Sequence, residues 1–212
     1  MKQSIKVALL GATGKAGKYL LKELLAQGYD VKALIRKPEY FHLTHPLLEI
    51  VKGDIKDFET ARLLLKDCNT VISSIGPAKN EPLIQSLATS NILRAMNEFN
   101  IKRYILLAGL NMDVPGDEKS AKNEASSVWM RNTFPEAVAD RQVAYNILNS
   151  SNTDWTLVRL PWIEQTAERR GLLVDLKDCL GEKVSTTDLA DFIIGQILDT
   201  AYSEKAPFVA SL

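Results

Sequence analysis

Residues 7–17 read VALLGATGKAG, a strand-length apolar run driven straight into glycines at Gly11, Gly14 and Gly17. The residues that follow, Tyr19, Leu20, Glu23, Leu24 and Gln27, have helical spacing. Few functions need that order. Gly11 permits a tight turn directly after a buried strand, Gly14 lets a diphosphate approach the backbone, and Gly17 lets the helix pack closely on the sheet. Amides at the helix amino end have no intrahelical partners and face an anion placed there. Thr13, Lys15 and Ala16 fill out this cofactor-binding turn. A structural turn without a ligand is the competing reading. The strand before the glycines and the helix after them favour a dinucleotide.

The second apolar run, residues 31–35, decides which dinucleotide. An acidic residue at its carboxyl end would accept ribose hydroxyls, whereas a basic one favours the 2′-phosphate of NADP(H) over NAD(H). The run closes as Leu34-Ile35-Arg36-Lys37-Pro38. Arg36 is therefore the expected phosphate ligand, with Lys37 in support and Lys15 as a lesser contributor. A solvated turn is the alternative for Arg36 and Lys37. Asp30 lies at the wrong end of the run to bind ribose.

Further apolar runs at residues 5–10, 48–51, 70–74, 104–108 and 155–160 have strand length and alternate with helical patterns such as Leu83, Leu87, Ile92 and Met96. This order predicts an α/β fold, a Rossmann-like doubly wound parallel sheet. No linker or repeat divides the 212 residues, so one domain spanning 1–212 with a small carboxyl-terminal, substrate-side region is expected. Residues 112–135 and 161–186 read as excursions at that side, the first either covering a pocket or forming an interface. Short strands are expected at 172–176 and 183–185, followed by a helix capped by Thr186 or Thr187 and running to Leu198.

Lys plus Arg and Asp plus Glu each total 26, which leaves no electrostatic footprint for nucleic acid or an anionic membrane. The longest apolar runs fall far short of the ~20 residues of a membrane span, and residues 1–4 lack the pattern of a secretory signal. A cytoplasmic location is expected. Cys68 and Cys179 lack CxxC spacing and read as ordinary reduced thiols rather than a disulfide or zinc site. His42 and His45 have HxxH spacing but no third ligand nearby, so a surface loop is expected and no metal. Asp188 and Asp191 are explained by helix capping and surface charge.

The combination of GATGKAG at 11–17, LIRKP at 34–38, VKGDIKD at 51–57, VISSIGP at 71–77 and SSNTDWTLVRLPWI at 150–163 resembles the atypical short-chain dehydrogenase/reductases. The nearest likeness is to their NAD(P)H-binding, NmrA-like group, which includes biliverdin-IXβ and flavin reductase-like proteins. The resemblance implies that Asp54 and Ile55 border the adenine and that Ser73, Ser74, Ile75 and Gly76 line the ribose and diphosphate. It also implies that Ala108, Gly109, Leu160, Pro161 and Trp162 flank the nicotinamide. A turn cap competes for Asp54.

One departure from the superfamily bears on chemistry. The register places Ala137 where a catalytic tyrosine normally stands, Arg141 where its lysine stands, and Ala108-Gly109 in place of the serine. Tyr145 is followed four residues later by Asn149 and does not restore the motif. Alcohol oxidation through a phenolate base is therefore doubtful, whereas hydride transfer to a flavin, quinone or similar planar acceptor needs little proton assistance. Arg141 is the candidate catalytic residue, either binding the nicotinamide ribose or polarising a substrate oxygen; a salt bridge with Asp140 or Glu136 competes. Trp162, Trp129 and Met130 are candidate platforms for the acceptor, the latter two also reading as core or dimer contacts. Two rivals to the reductase remain. One is a non-catalytic NADP(H) sensor acting through a homodimer or protein partner; the other, suggested by the superfamily alone, is a nucleotide-sugar epimerase or dehydratase.

Overall fold

The computed structural model describes residues 5–76 and 83–212; Pro77 of the VISSIGP motif lies outside them. Strand β1 (Lys6–Leu10) shows how a wholly apolar run builds two cores. Side chains alternate across a strand, so Val7 and Leu9 face one layer while Ala8 and Leu10 face the other. On the first face, helix α1 (Gly17–Ala26) buries Leu20, Leu21, Leu24 and Leu25. On the second lie α2 (Phe58–Leu65), α3 (Ile84–Glu98) and α5 (Pro135–Asn149), contributing Leu64, Ile92 and Leu148 among others.

The predicted parallel order is present. Strands β2 (Asp30–Ile35), β3 (Leu48–Lys52), β4 (Thr70–Ser73), β5 (Arg103–Gly109) and β6 (Asp154–Leu160) join β1 in the order β3-β2-β1-β4-β5-β6, all parallel. The winding reverses between β1 and β4. That reversal opens a crevice at their carboxyl ends, where doubly wound sheets bind ligands.

Beyond β6 the chain departs from the simple pattern. A short strand β7 (Trp162–Glu164) pairs with β9 (Lys183–Ser185) in a separate two-stranded sheet. Strand β8 (Leu172–Asp175) runs antiparallel to β10 (Phe208–Ser211), which lies between β8 and β6 and was not signalled by a long apolar run. Helix α6 (Thr186–Gly195) shares the α1 core and stops short of Leu198. Its cap is Ser185, whose hydroxyl accepts from the amides of Thr187 and Asp188 at 3.2 and 3.4 Å. Thr186 and Thr187, the expected caps, instead donate their hydroxyls to the Thr166 carbonyl. Asp188 is likewise not a surface charge. It is buried and accepts from the Arg170 amide and the Ser211 hydroxyl, at 3.1 and 2.7 Å. Asp191 does pair at the surface, with Arg169 at 2.7 Å.

The 112–135 excursion holds a helix, α4 (Ala121–Thr133). It packs toward the 161–186 region: Asn123 donates to Asp178 and to the Cys179 carbonyl at 2.6 and 2.8 Å. Arg159 anchors the loop before it. This fully buried guanidinium bonds both Asp117 oxygens at 2.7 Å, donates to the carbonyls of Met112, Leu176 and Ala206, and lies over the Phe208 ring. No helix among the described residues is long and apolar enough to cross a membrane. Removing one partner of a buried ion pair strands the other, so Asp117→Ala should lower unfolding free energy by about 3–5 kcal/mol. The Asp117→Leu, Arg159→Met double variant should lose less than Asp117→Ala in the same urea titration.

Candidate functional site

The glycine turn is fixed by its own backbone and by β4. Gly11 has φ +81°, a left-handed conformation that suits glycine. The Gly14 amide donates to the Gly11 carbonyl at 2.8 Å, and the Ser74 amide and hydroxyl both donate to the Leu10 carbonyl at 3.0 Å. A Cβ at Gly17 would stand 2.0 Å from the Gly11 oxygen and 2.7 Å from Ser74 Oγ. Only glycine lets α1 begin so near the strand end. No side chain caps that helix, so its amino end keeps amides directed at the turn.

Two clefts open from this turn. The first, of 830 Å³, is lined by Gly11, Thr13 and Gly14, by Leu34, Ile35, Arg36 and Lys37, and by Asp54, Ile55, Ser74, Ile75 and Gly76. Tyr40, Phe41 and Ile84 complete it. The second, of 410 Å³, shares Gly14, Ser74, Ile75 and Gly76 and adds Lys15, Ala16, Ala108, Gly109, Arg141, Leu160 and Pro161, together with Gln85, Leu107 and Ile163. Most residues expected at a dinucleotide are thus gathered on one crevice by the topology. Ser73, Gly17 and Trp162 are not in either lining; Trp162 lies beside the second cleft, next to its lining residues Lys15, Pro161 and Ile163. Ser73 is buried, and Gly17 acts through packing.

Several expectations need correction. Lys15 sits in the second cleft rather than beside Arg36, its ammonium 5.3 Å from the Trp162 ring centre. Trp129 and Met130 lie on α4, away from both clefts; no residue of 112–135 lines either one. Trp129 is 59% exposed and meets Phe134 edge-on at 6.1 Å. Polar α4 turns toward Asp178 and Cys179, so it does not form a cover over the pocket. Asp54 accepts from the Lys56 amide at 3.0 Å while lining the first cleft, so its turn role and a ligand contact coexist. His42 and His45 occupy an exposed stretch, where His45 accepts from the Leu47 amide.

The chemistry of the second cleft is set by what faces it. No tyrosine lines it. Tyr145 is buried against Trp155, edge-on at 6.1 Å, and burial raises its phenol above the ordinary value. Ala137, also on α5, is buried. Arg141, one turn further along, reaches the cleft wall, and burial lowers its guanidinium below the ordinary arginine value, opposed by neighbouring Asp140. The Asp140 carboxylate itself accepts from the Gln85 and Ser86 amides at 2.8 and 3.3 Å and from the Ser86 hydroxyl, capping α3. Gln85 in turn donates to the Ile75 carbonyl at 2.5 Å. Cys68 and Cys179 are buried free thiols outside the clefts; burial pushes Cys68 up to about 11.

Sequence reasoning missed Tyr40, Phe41, Ile84, Gln85, Leu107, Ile163 and Asn111. Tyr40 and Phe41 follow LIRKP directly and were within reach of that motif. Asn111 carried no signal: it is 4% exposed, accepts from Arg141 Nη1 at 3.5 Å, and lies behind Gly109, where a Cβ would come within 2.5 Å of its Oδ1.

A family model described as NAD(P)H-binding matches residues 11–200. Cinnamoyl-CoA reductase 1 of Petunia hybrida is 26% identical over 133 residues, 56% of this chain. The chain spans only 19% and 40% of the length of the first two curated relatives it matches. Uncharacterized protein At2g34460, chloroplastic, of Arabidopsis thaliana is 22% identical over 211 residues, 94% of this chain and 74% of its own. A short-chain dehydrogenase/reductase from Veillonella parvula DSM 2008 in complex with NADP has a TM-score of 0.81 at 19% identity, covering 99% of this chain and 95% of that one. At that identity the likeness shows the fold. Because the Gly17 contact is with backbone that cannot swing aside, Gly17→Ala should cost on the order of 1–3 kcal/mol. It should also weaken NADPH binding at least ~ten-fold, read by thermal unfolding and calorimetric titration.

Proposed function

The chain belongs to the NAD(P)H-binding family, and from that premise we propose that it is an NADPH-dependent reductase of a flavin, quinone or similar conjugated acceptor. The observation that carries this reading is the pair of clefts joined at Gly14, Ser74, Ile75 and Gly76, basic at the Arg36 end and without a tyrosine at the Arg141 end. The residues fit the cofactor. Side chains at Gly11 or Gly17 would collide with backbone, so the turn keeps its amides open to a diphosphate. Arg36 and Lys37 line the same cleft as Asp54 and Ile55, which suits a 2′-phosphate beside an adenine ribose.

When bound, NADPH supplies hydride to the acceptor and leaves as NADP⁺, the proton coming from solvent. The chain positions and stabilises. Ala108, Gly109, Leu160 and Pro161 form a mostly apolar wall at the acceptor end, limiting water there. Trp162, 68% exposed on β7 beside Lys15, offers a flat rim against which a planar acceptor stacks. Arg141 meets negative charge as it develops on the acceptor oxygen. An acceptor with an extended electron sink needs no phenolic acid, which accommodates Ala137 in the tyrosine position. We place this chemistry in the cytoplasm, with a small planar molecule as partner.

The missing tyrosine also favours a second reading, a non-catalytic NADP(H) sensor that responds through a protein partner or a second copy of itself. Turnover separates the two. NADPH should bind more tightly than NADH in calorimetry and be oxidised when flavin or quinone is added; tight binding without oxidation across that panel selects the sensor. Arg36→Glu should cut the preference for NADPH over NADH by about ten-fold or more, and an unchanged ratio would remove Arg36 from the phosphate site. Trp162→Ala should lower turnover by about ten-fold while cofactor affinity stays near its original value; equal losses in both would contradict an acceptor platform.

A further inference from the structure

Arg103, Arg141 and Arg159 are all held below the ordinary arginine value by burial. Two have a carboxylate in contact. Arg103 Nη1 lies 3.0 Å from Asp154 Oδ1, and Arg159 Nη1 lies 2.7 Å from Asp117. Arg141 differs: among the described residues no carboxylate oxygen comes within 4.0 Å, and its hydrogen bond is the 3.5 Å contact with Asn111 Oδ1. Asp140, its neighbour in sequence, is committed to the amino end of α3. A partly desolvated guanidinium with no carboxylate in contact is costly, and the cost falls when an anion is brought to it.

Asn111 supplies an independent observation. It is 4% exposed, and its Nδ2 has no hydrogen-bond partner among the described residues. Buried amides of this kind ordinarily find an acceptor. Asn111 and Arg141 converge on the space beside Gly109, where a Cβ would lie 2.5 Å from Asn111 Oδ1 and 3.7 Å from Arg141 Nη1. Gly109 lines the second cleft. The absence of a side chain at Gly109 is therefore what lets Asn111 Oδ1 and the half-buried Arg141 guanidinium come up beside the second cleft.

We infer that the acceptor carries an anionic oxygen, a carboxylate or acidic enol on a planar conjugated frame, which pairs with Arg141 while Asn111 Oδ1 positions the guanidinium. The inference rests on the reductase reading for its assignment of the second cleft to the acceptor. Ribose hydroxyls are neutral and would leave the guanidinium without a counter-ion. The selectivity expected is for charge at fixed shape, since guanidinium–carboxylate pairing is stronger than any neutral hydrogen bond the site can offer.

The test uses the full chain saturated with NADP⁺ and two probes of nearly equal shape, anthraquinone-2-carboxylate and anthraquinone-2-carboxamide, titrated by calorimetry. The carboxylate should bind about ten-fold more tightly. That preference should fall to within about two-fold in Arg141→Gln. Asn111→Asp, which places a carboxylate where Asn111 now touches Arg141, should abolish it by supplying the counter-charge internally; a melting temperature raised by NADP⁺ identifies each variant as folded. Equal affinity for the two probes in the unmodified chain overturns the inference, as does a preference that survives both substitutions. A large loss of NADP⁺ affinity in Arg141→Gln with no probe preference in the unmodified chain also overturns it and assigns Arg141 to the cofactor. NADPH oxidation by menadione, a neutral quinone, is measured separately. Menadione turnover without carboxylate preference removes the anion site alone; carboxylate preference without turnover of any quinone removes the reductase reading and leaves the anion site standing.

Discussion

The approach of α1 to the ends of β1 and β4 is the contact on which the crevice depends. At Gly17 the helix starts so near the Gly11 carbonyl that a single methyl group would overlap it. The left-handed backbone at Gly11, the Gly14 amide closing back on it, and Ser74 bridging from β4 to Leu10 all hold that approach. Were the helix displaced outward, its amides would no longer face the turn, and Gly14, Ser74, Ile75 and Gly76 would cease to be common to both clefts. One steric requirement thus sets the geometry of both halves of the site.

The electrostatics divide along the same line. At one end Arg36 and Lys37 gather at the close of β2, where a basic pair suits phosphate. At the other, the polar network serves placement: Asp140 caps α3, Gln85 on that helix holds the Ile75 carbonyl, and the wall shared by the two clefts is tied to the helix that carries Arg141. Arg103, Arg141 and Arg159 show how differently one residue type is used. Arg103 and Arg159 are bound into the scaffold by aspartates and carbonyls, while Arg141 stands at a cleft wall.

Much of this was legible because it is local. GATGKAG encodes its own turn, and β1 to β6 and β8 fall on apolar runs displaced by a residue or so at an end, with β9 at the expected residues; β7 and β10 had no such signal. Arg36 follows β2 by chain order alone. What escaped was set by tertiary partners. Helix α4 is polar, so its period gave no signal; its place depends on Asn123 meeting Asp178 and Cys179 some 55 residues away. Asp188 reads as a capping acid until Ser211 and the Arg170 amide close over it. The role of Asn111 exists only because β5 and α5 bring Gly109 and Arg141 to it. A two-residue spacing such as Gly109 to Asn111 is too common to carry that meaning in one dimension.

The position of β10 has a bearing on the order in which the molecule assembles. Between Lys6 and Gly109 most neighbours in the sheet are also neighbours in the chain, the exception being β4, which pairs with β1 from Val7 opposite Thr70. Strand β10 instead inserts between β6 and β8, both earlier in the chain, and Phe208 at its start is the ring over which Arg159 lies. Strand β8 has no other partner in the sheet, so it joins only when residues 208–211 arrive. The carboxyl-terminal edge of the sheet therefore cannot close until the last strand of the chain is in place, however early the other strands pair.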